Sequence, residues 1–562
     1  MQQVKDKKIK DPIYGYITIS QEYIKNVIDT PIFQRLRRIL QTSYSPLYAS
    51  TLHNRFVHSI GVYHLGKMVA KSFERIIIEN KYLPKEKAIK YSNAYCLACL
   101  LHDVGPAPFS HTGEIYYKNK DCLSIELHKR LCLLVNSTEL NEDIPSEMNS
   151  AAPHEIMSAI IGIKEFGDII GDDESKELFA RCITGYTYNM TMPTNGDTSD
   201  KDIKNCFIGM LNSKVIDVDR LDYLIRDAYT SGFETVNIDY ERLLKALTIV
   251  IEDGHYVTAY RKNAVSIIEN VVYAHDAERK WIHNHPTVLY ETYILSHILE
   301  HLSANLDTAN KKLFSEDSLS VEGQTLKGKT KVSLLCDDDI IYLSKNKYSD
   351  KISKEFFDRN SRMHPIWKSE AEYKAYISSQ GTEKENSFLD NIINLCNIDK
   401  KSNIEHVFID DALIRDREEE LRKLEQERNG QLDPRMKNMN KKRIEIVKGQ
   451  LQMIRFLQDY AKENMWESEL LFIKASMFNS SFKKGHIKNI PIAFGEGEHI
   501  QIKKLEDVCS LLDAQKVERD LCYLFYHTKE SGKAEEDTGR EMYVAEFCKN
   551  LVKSLEVHSS EE

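Results

Sequence analysis

Residues 94–103, AYCLACLLHD, run as one apolar helical stripe straight into a His-Asp pair. Ala94, Leu97, Ala98 and Leu101 fall at i, i+3, i+4 and i+7, the spacing of one buried helix face. A chain with this segment must close a helical core around two side chains that bind cations well. Adjacent helical residues point about 100° apart, so His102 and Asp103 reach one ion only at a helix end or a loosened turn. Gly105 and Pro106 supply that end. On its own the dipeptide reads better as a capping aspartate beside a satisfied buried histidine.

Three other segments bear on the choice. "HNRFVHS" puts His58 in a helical context, and "HEIMSAIIG" puts His154 and Glu155 at a helix start. "VIDVDRLDYLIRDAYTSG" is a strong helix with Gly232 as its stop. In it Asp219, Asp222, Tyr223, Arg226 and Asp227 recur at i, i+3, i+4, i+7 and i+8, opposite Leu221, Leu224, Ile225 and Ala228. That stripe is either an ordinary amphipathic face or the wall of a pocket. In chain order these segments resemble the H…HD…D run of the HD phosphohydrolases, and that resemblance implies His58, His102, Asp103 and Asp219 as ligands, two imidazoles and two carboxylates that suit a divalent Fe, Mn, Zn, Ni or Mg ion. Four protein ligands leave an open position only beyond tetrahedral geometry, which favours an octahedral ion.

The order H…HD…D is the signature of the HD phosphohydrolase superfamily. Five blocks carry a closer resemblance: "KDPIYGYITIS", "IDTPIFQRLRRILQT", "HNRFVHSIGVYHLG", "LLHDVGPAPFSH" and "VIDVDRLDYLIRDAYTSG". In that order they resemble the HD-domain deoxynucleoside triphosphate triphosphohydrolases, in the branch that contains the sterile-alpha-motif enzyme. The resemblance runs over residues 7–295, and no sterile-alpha-motif domain is expected. It implies hydrolysis of deoxynucleoside triphosphates to deoxynucleoside and triphosphate, by attack of metal-bound water on the α-phosphorus. It also implies roles. Arg55 would hold phosphate, His111 would be the general acid, Glu114 would support it, and His154 would line the pocket. Arg220 would contact phosphate, Tyr223 and Asp227 the sugar, and Gln41 with Asp227 the 3′-OH. Arg279, His285 and Tyr290 would contact nucleotide. Lys7, Asp29, Gln34 and Arg37 match positions that bind an activating guanine nucleotide between subunits, so a homo-oligomer gated by a second nucleotide is part of the expectation. A second Mg²⁺ would travel with the triphosphate.

Two positions depart from the family pattern. Pro106 stands where relatives carry another histidine, and Thr42 stands where they place an apolar residue against the sugar 2′ carbon. A hydroxyl there can accept a ribose 2′-OH. Two alternatives therefore stay open. One is an HD phosphohydrolase for another nucleotide: a ribonucleotide, a monophosphate or a signalling nucleotide. The other is a nucleotide-sensing defence subunit.

Composition sets the remaining bounds. The chain has 562 residues, 42% apolar and 29% charged, with net charge −10. That argues against whole-surface nucleic-acid binding, while a local nucleic-acid or protein partner stays open. The eleven cysteines show no paired zinc-ribbon spacing, and Cys96 and Cys99 read as core thiols. A charged N-terminus without an apolar h-region and the lack of an 18-residue apolar run exclude a secretory signal and a membrane span, so a cytoplasmic protein is expected. The fold expectation is mainly α: an HD helical core over 1–300, a variable helical lobe with mobile loops over 301–465, and a small α+β lobe over 466–562. Strands are expected at "HYVTAY", "ELLFIKA", "NIPIAF", "HIQIKKL" and "LCYLFYH", with "GEGE" as a hairpin turn. Residues 411–428 read as a charged helix with a solvated face, with Glu418–Arg422 and Glu419–Lys423 as i,i+4 pairs. A coiled-coil arm is the lesser reading there, because Asn429, Gly430 and Pro434 interrupt it.

Overall fold

A computed structural model describes residues 6–43, 45–117, 123–144, 151–189, 198–213, 215–233, 237–376, 394–396, 405–430, 434–464, 466, 469–475, 487–495, 500–509, 521–527 and 544–551. The fold is mainly α. The chain forms two compact units, each discontinuous in sequence. One comprises 1–279, 297–349 and 480–516, and the other 280–296, 350–479 and 517–562.

The first unit is a helical core. Its two longest N-terminal helices, Arg55–Glu79 and Lys85–Leu101, pack against each other and bury Leu65, Val69, Phe73, Leu97, Ala98 and Leu101. Each large apolar side chain buried this way contributes roughly 1.5–3 kcal/mol. Asn54 caps the first of these helices, its side-chain oxygen accepting from Val57 N–H. The Val218–Ser231 helix starts at Asp217, which accepts from Arg220 N–H, and stops at Gly232 with φ 68°. The apolar His-Asp helix ends at Leu101, before Gly105 is reached. Gly105 serves a different purpose from the expected helix stop. A Cβ on it would lie 2.6 Å from Ser158 N, so only glycine lets this turn rest on the Pro153–Ile170 helix.

"HYVTAY" forms a strand, His255–Arg261, paired antiparallel with Leu247–Glu252, whose core Ile249–Val250–Ile251 gave no alternation to read. Pro491–Phe494 joins this hairpin in parallel, and Gln501–Lys504 adds the outer edge. Most of the expected "GEGE" turn between those two strands lies outside the described residues. "SLSVEGQTLKGKTK" is ordered instead of a mobile loop. Gln324–Thr325 pairs with Lys331–Val332, and the Gln324 amide donates to Lys312 C=O, Ser315 Oγ and Ser318 Oγ.

In the second unit, Leu470–Lys474 and Cys522–Tyr526 pair antiparallel, flanked by His406–Ile409 and His364–Pro365. The charged helix runs Asp411–Gly430 and packs against Pro434–Glu463. Leu424, Ile444, Val447 and Leu451 are buried together, with Ile414 and Leu421 against them. Asn429 and Gly430 end the first of these helices and Pro434 opens the second, so the interruption separates two packed helices. Lys423 pairs with Glu419 as expected, whereas Glu418 pairs across the hairpin with Arg455 rather than with Arg422. Among the described residues no helix is long and apolar enough to cross a membrane, and the described cysteines form no disulfide.

Candidate metal centre

The first turn of the Arg55–Glu79 helix, the end of the Lys85–Leu101 helix and the first turn of the Val218–Ser231 helix bring His58, His102 and Asp219 together. Both imidazoles are held from behind. His58 Nδ1 is 2.8 Å from Asp222 Oδ2, and His102 Nδ1 is 3.0 Å from the Cys99 carbonyl oxygen. Each acceptor takes the Nδ1–H and leaves an Nε2 lone pair facing inward. The two Nε2 atoms stand 3.3 Å apart. Two such lone pairs repel unless a proton or a metal cation lies between them. Asp219 Oδ1 is 2.9 Å from one Nε2 and 3.6 Å from the other. Asp103 Oδ2 faces the same pair at 3.7 and 3.5 Å. Bonds of about 2.1 Å at right angles would set neighbouring ligand atoms about 3.0 Å apart, so this donor set fits a divalent ion. Asp103 is shared, since it also forms a buried ion pair with Arg55.

The electrostatics follow from burial and charge. Desolvation opposes the His58 imidazolium, but Asp219 and Asp222 outweigh it and lift its pKa to about 9. Desolvation likewise opposes the Asp103 carboxylate, and Arg55 with the two histidines overcomes it, holding the carboxyl below the usual range.

Sequence reading gave Asp222 and Arg226 a place on a polar stripe and no role. They are fully interior. Asp222 Oδ1 accepts from Tyr14 Oη–H (2.8 Å) and Arg226 (3.0 Å), and Oδ2 accepts from Arg226 Nε (2.9 Å) and His58. Arg226 also donates to Asp11 Oδ2 at 3.0 Å. Gly61 makes room for this cluster, since a Cβ there would stand 1.9 Å from Asp222 Oδ1. Asp11 and Tyr14 sit in the first resemblance block, where nothing in their local spacing signals a partner some two hundred positions away.

A second cluster gathers His111, Glu114 and His154. Glu114 Oε2 contacts His154 Nδ1 closely and lies 3.5 Å from His111 Nδ1. Burial opposes the His154 imidazolium, and Glu114 overrides it, raising its pKa to about 9. The same pairing overcomes burial at Glu114 and pulls its pKa far down. The His111 side chain is 67% exposed. Arg55 ties this region to the metal cluster, because its Nε donates to Ser110 Oγ at 2.9 Å.

Gln41 and Asp227 are linked through His53, another residue missed in the sequence. The His53 carbonyl accepts Gln41 N–H at 3.0 Å, and its Nε2 lies 2.7 Å from Asp227 Oδ1. The Gln41 Oε1 and Thr42 Oγ1 atoms are buried without a hydrogen-bond partner among the described residues. Arg220 donates to the Val215 carbonyl and pairs with Asp217, and it lies beside Tyr223. Arg279 ends the Val265–Glu278 helix and is half-buried. Pro106 spends its carbonyl on Arg35. His285 belongs to the second unit, where its Nδ1 accepts Thr287 N–H at 3.2 Å. Tyr290 is there too, buried, its hydroxyl donating to Glu355 and accepting Met363 N–H. Lys7 is exposed on the first strand. Asp29 and Arg37 are exposed, Arg37 Nε donates to Gln34 Oε1 at 2.8 Å, and Gln34 Nε2 donates to Ile28 C=O.

The chain is 30% identical over 267 residues to an uncharacterized protein of Mycoplasma pneumoniae, covering 46% of this chain and 52% of that one. It is 30% identical over 254 residues to the deoxynucleoside triphosphate triphosphohydrolase SAMHD1 of Gallus gallus, covering 44% and 38%. The chain thus spans about half the length of the first curated relatives it matches. No protein-family model matches. A hypothetical protein from Aquifex aeolicus, known from a crystal structure, shares the fold, with a TM-score of 0.53 at 17% identity over 98% of this chain and 100% of that one.

Proposed function

We propose that this chain is an HD-domain phosphohydrolase that cleaves nucleoside triphosphates, deoxynucleotides first, to nucleoside and inorganic triphosphate. The observation that carries the reading is the pair of inward-facing Nε2 atoms beneath Asp219, each locked by its own Nδ1 acceptor. A divalent ion held there supplies a polarised phosphoryl oxygen and an acidified water. The remaining work falls to the chain. A triphosphate carries about four negative charges, which calls for cations. The Arg55 and Arg220 guanidinium groups and the His154 imidazolium answer that need. Water adds to the α-phosphorus, the bond to the 5′ oxygen breaks, and His111 delivers a proton to that oxygen. Glu114, on His111 Nδ1, keeps the Nε2 proton directed outward. Asp227 and Gln41, joined through His53, take the sugar 3′-OH. Asp29, Gln34 and Arg37, with Lys7, form a candidate activator patch.

A ribonucleotide substrate is the second reading, favoured by Thr42 Oγ1, buried without a partner among the described residues and able to accept a 2′-OH. One experiment separates them. Purified protein loaded with Mn²⁺ or Fe²⁺ is given dNTP and NTP panels, with and without GTP, and products are resolved by chromatography. Deoxynucleoside plus triphosphate supports the first reading, and ribonucleoside plus triphosphate the second. Pyrophosphate plus monophosphate, or no turnover at full metal occupancy, refutes both.

A further inference from the structure

Beyond the groups already placed in the site, one buried carboxylate reaches it from a segment that the sequence reading left without a role. Asp337 opens the Asp337–Asn346 helix and is 4% exposed. Its Oδ2 accepts Leu40 N–H at 2.8 Å, and its Oδ1 accepts Phe109 N–H at 2.7 Å. Leu40 immediately precedes Gln41. Phe109 stands two residues before His111. One carboxylate therefore ties together the two turns that carry a candidate sugar contact and the candidate acid.

The second of these turns needs to be held. Phe109 and Ser110 adopt φ of 57° and 54°, two consecutive non-glycine residues in the left-handed region. Each costs on the order of 1–2 kcal/mol, and such conformations persist only where surrounding contacts enforce them. Ser110 Oγ donates to Leu40 C=O and accepts from Arg55 Nε, while Arg55 pairs with Asp103. The ring closes through Asp337, which holds Leu40 N–H on one side and Phe109 N–H on the other. Two residues earlier in the same segment, Leu335 C=O accepts from Arg35 at 2.8 Å. Arg35, itself buried, also grips Val104 C=O (3.0 Å) and Pro106 C=O (3.1 Å) in the loop after the His-Asp pair.

We propose that Asp337 is a positioning residue: its carboxylate holds the left-handed Phe109–Ser110 turn against the Leu40 turn, and so sets where His111 and Gln41 present their side chains. The proposal rests on the reading of His111 and Gln41 as substrate groups, and the clamp itself can be tested without any activity.

The test uses full-length protein loaded with Mn²⁺, as parent, Asp337→Asn and the exposed neighbour Asp338→Asn. Amide hydrogen exchange is followed in peptides covering 36–42 and 105–113, alongside metal content and steady-state kinetics. An amide at 337 turns one acceptor into a donor that faces an N–H. Exchange at Leu40 or Phe109 is expected to quicken at least tenfold in Asp337→Asn, with unchanged metal content and no change in Asp338→Asn. A displaced acid is expected to lower kcat about 10- to 100-fold. KM should stay within about threefold, since the phosphate cations are untouched. The kcat penalty should shrink when measured in a Phe109→Gly background, where φ near 57° carries no strain. Should Asp337→Asn fail to fold, Asp337→Glu, which keeps the charge and displaces it, serves in its place. Unchanged exchange at both amides overturns the clamp. Quickened exchange with unchanged kcat overturns the positioning role. A parent without nucleotide turnover sinks the functional reading instead, and exchange alone then decides the clamp.

Discussion

Replacing Asp222 by asparagine tests the construction of the metal centre from behind. Its carboxylate receives four donors: Tyr14 Oη–H, two N–H groups of the Arg226 guanidinium and His58 Nδ1–H, all at 2.8–3.0 Å. Asparagine has nearly the same shape but offers one oxygen. Whichever way the amide turns, its NH₂ meets two of those donors and accepts neither. Hydrogen bonds to charged groups contribute about 1.5–3 kcal/mol each, and leaving Arg226 half-paired in the interior adds a desolvation cost. The global penalty should be about 3–5 kcal/mol. The local penalty is separate. If His58 Nδ1 loses its acceptor, the imidazole is free to turn or change tautomer, and metal affinity should fall about 10- to 100-fold. Competition with a fluorescent chelator measures the affinity, and urea melts with and without Mn²⁺ measure stability. Asp222→Asn with metal affinity within about twofold of the parent would refute the claim that Asp222 fixes His58.

Other expectations follow from the same geometry. Gly61→Ala places a methyl 1.9 Å from Asp222 Oδ1 and 2.5 Å from Arg226, so it should cost at least about 3 kcal/mol and weaken the metal; an unchanged urea midpoint contradicts this. His154 has a pKa raised from its ordinary value to about 9 by Glu114, so the stability from this pair is complete below about pH 6.5 and is lost as pH rises through 9; an NMR midpoint at or below 6.5 refutes the pairing. Thr42→Leu removes the buried hydroxyl and should shift the dNTP-to-NTP ratio of kcat/KM by about 10-fold or more toward deoxynucleotides; an unmoved ratio places Thr42 away from the 2′ position.

The chain's local signals were strongest where a short stretch both folds and functions. The apolar stripe ending at His102 and the Gly232 stop are each legible within a turn or two, because helix periodicity and termination are local physics. Loop chemistry was weaker evidence. Gly105 looked like a helix stop, and its reason is the backbone of a helix some fifty residues on. Asn429, Gly430 and Pro434 argued against a coiled-coil arm, yet they end one helix and open a second that packs on it, because which helix a charged helix packs against is decided by tertiary contact.

The sequence by itself determined the helical class, the ordered run of His and Asp positions, and the two clusters of chemically competent side chains. Only the tertiary structure decided what holds them. Asp222 orients His58 from an adjacent helix, His53 joins Gln41 to Asp227, and Asp337 reaches Leu40 and Phe109 across some two to three hundred residues of chain. The physical reason is the range of the forces involved. A helix and its cap are written by neighbours in sequence, whereas a buried carboxylate is satisfied by whichever donors packing brings to it, and their spacing in the chain carries no trace of that contact.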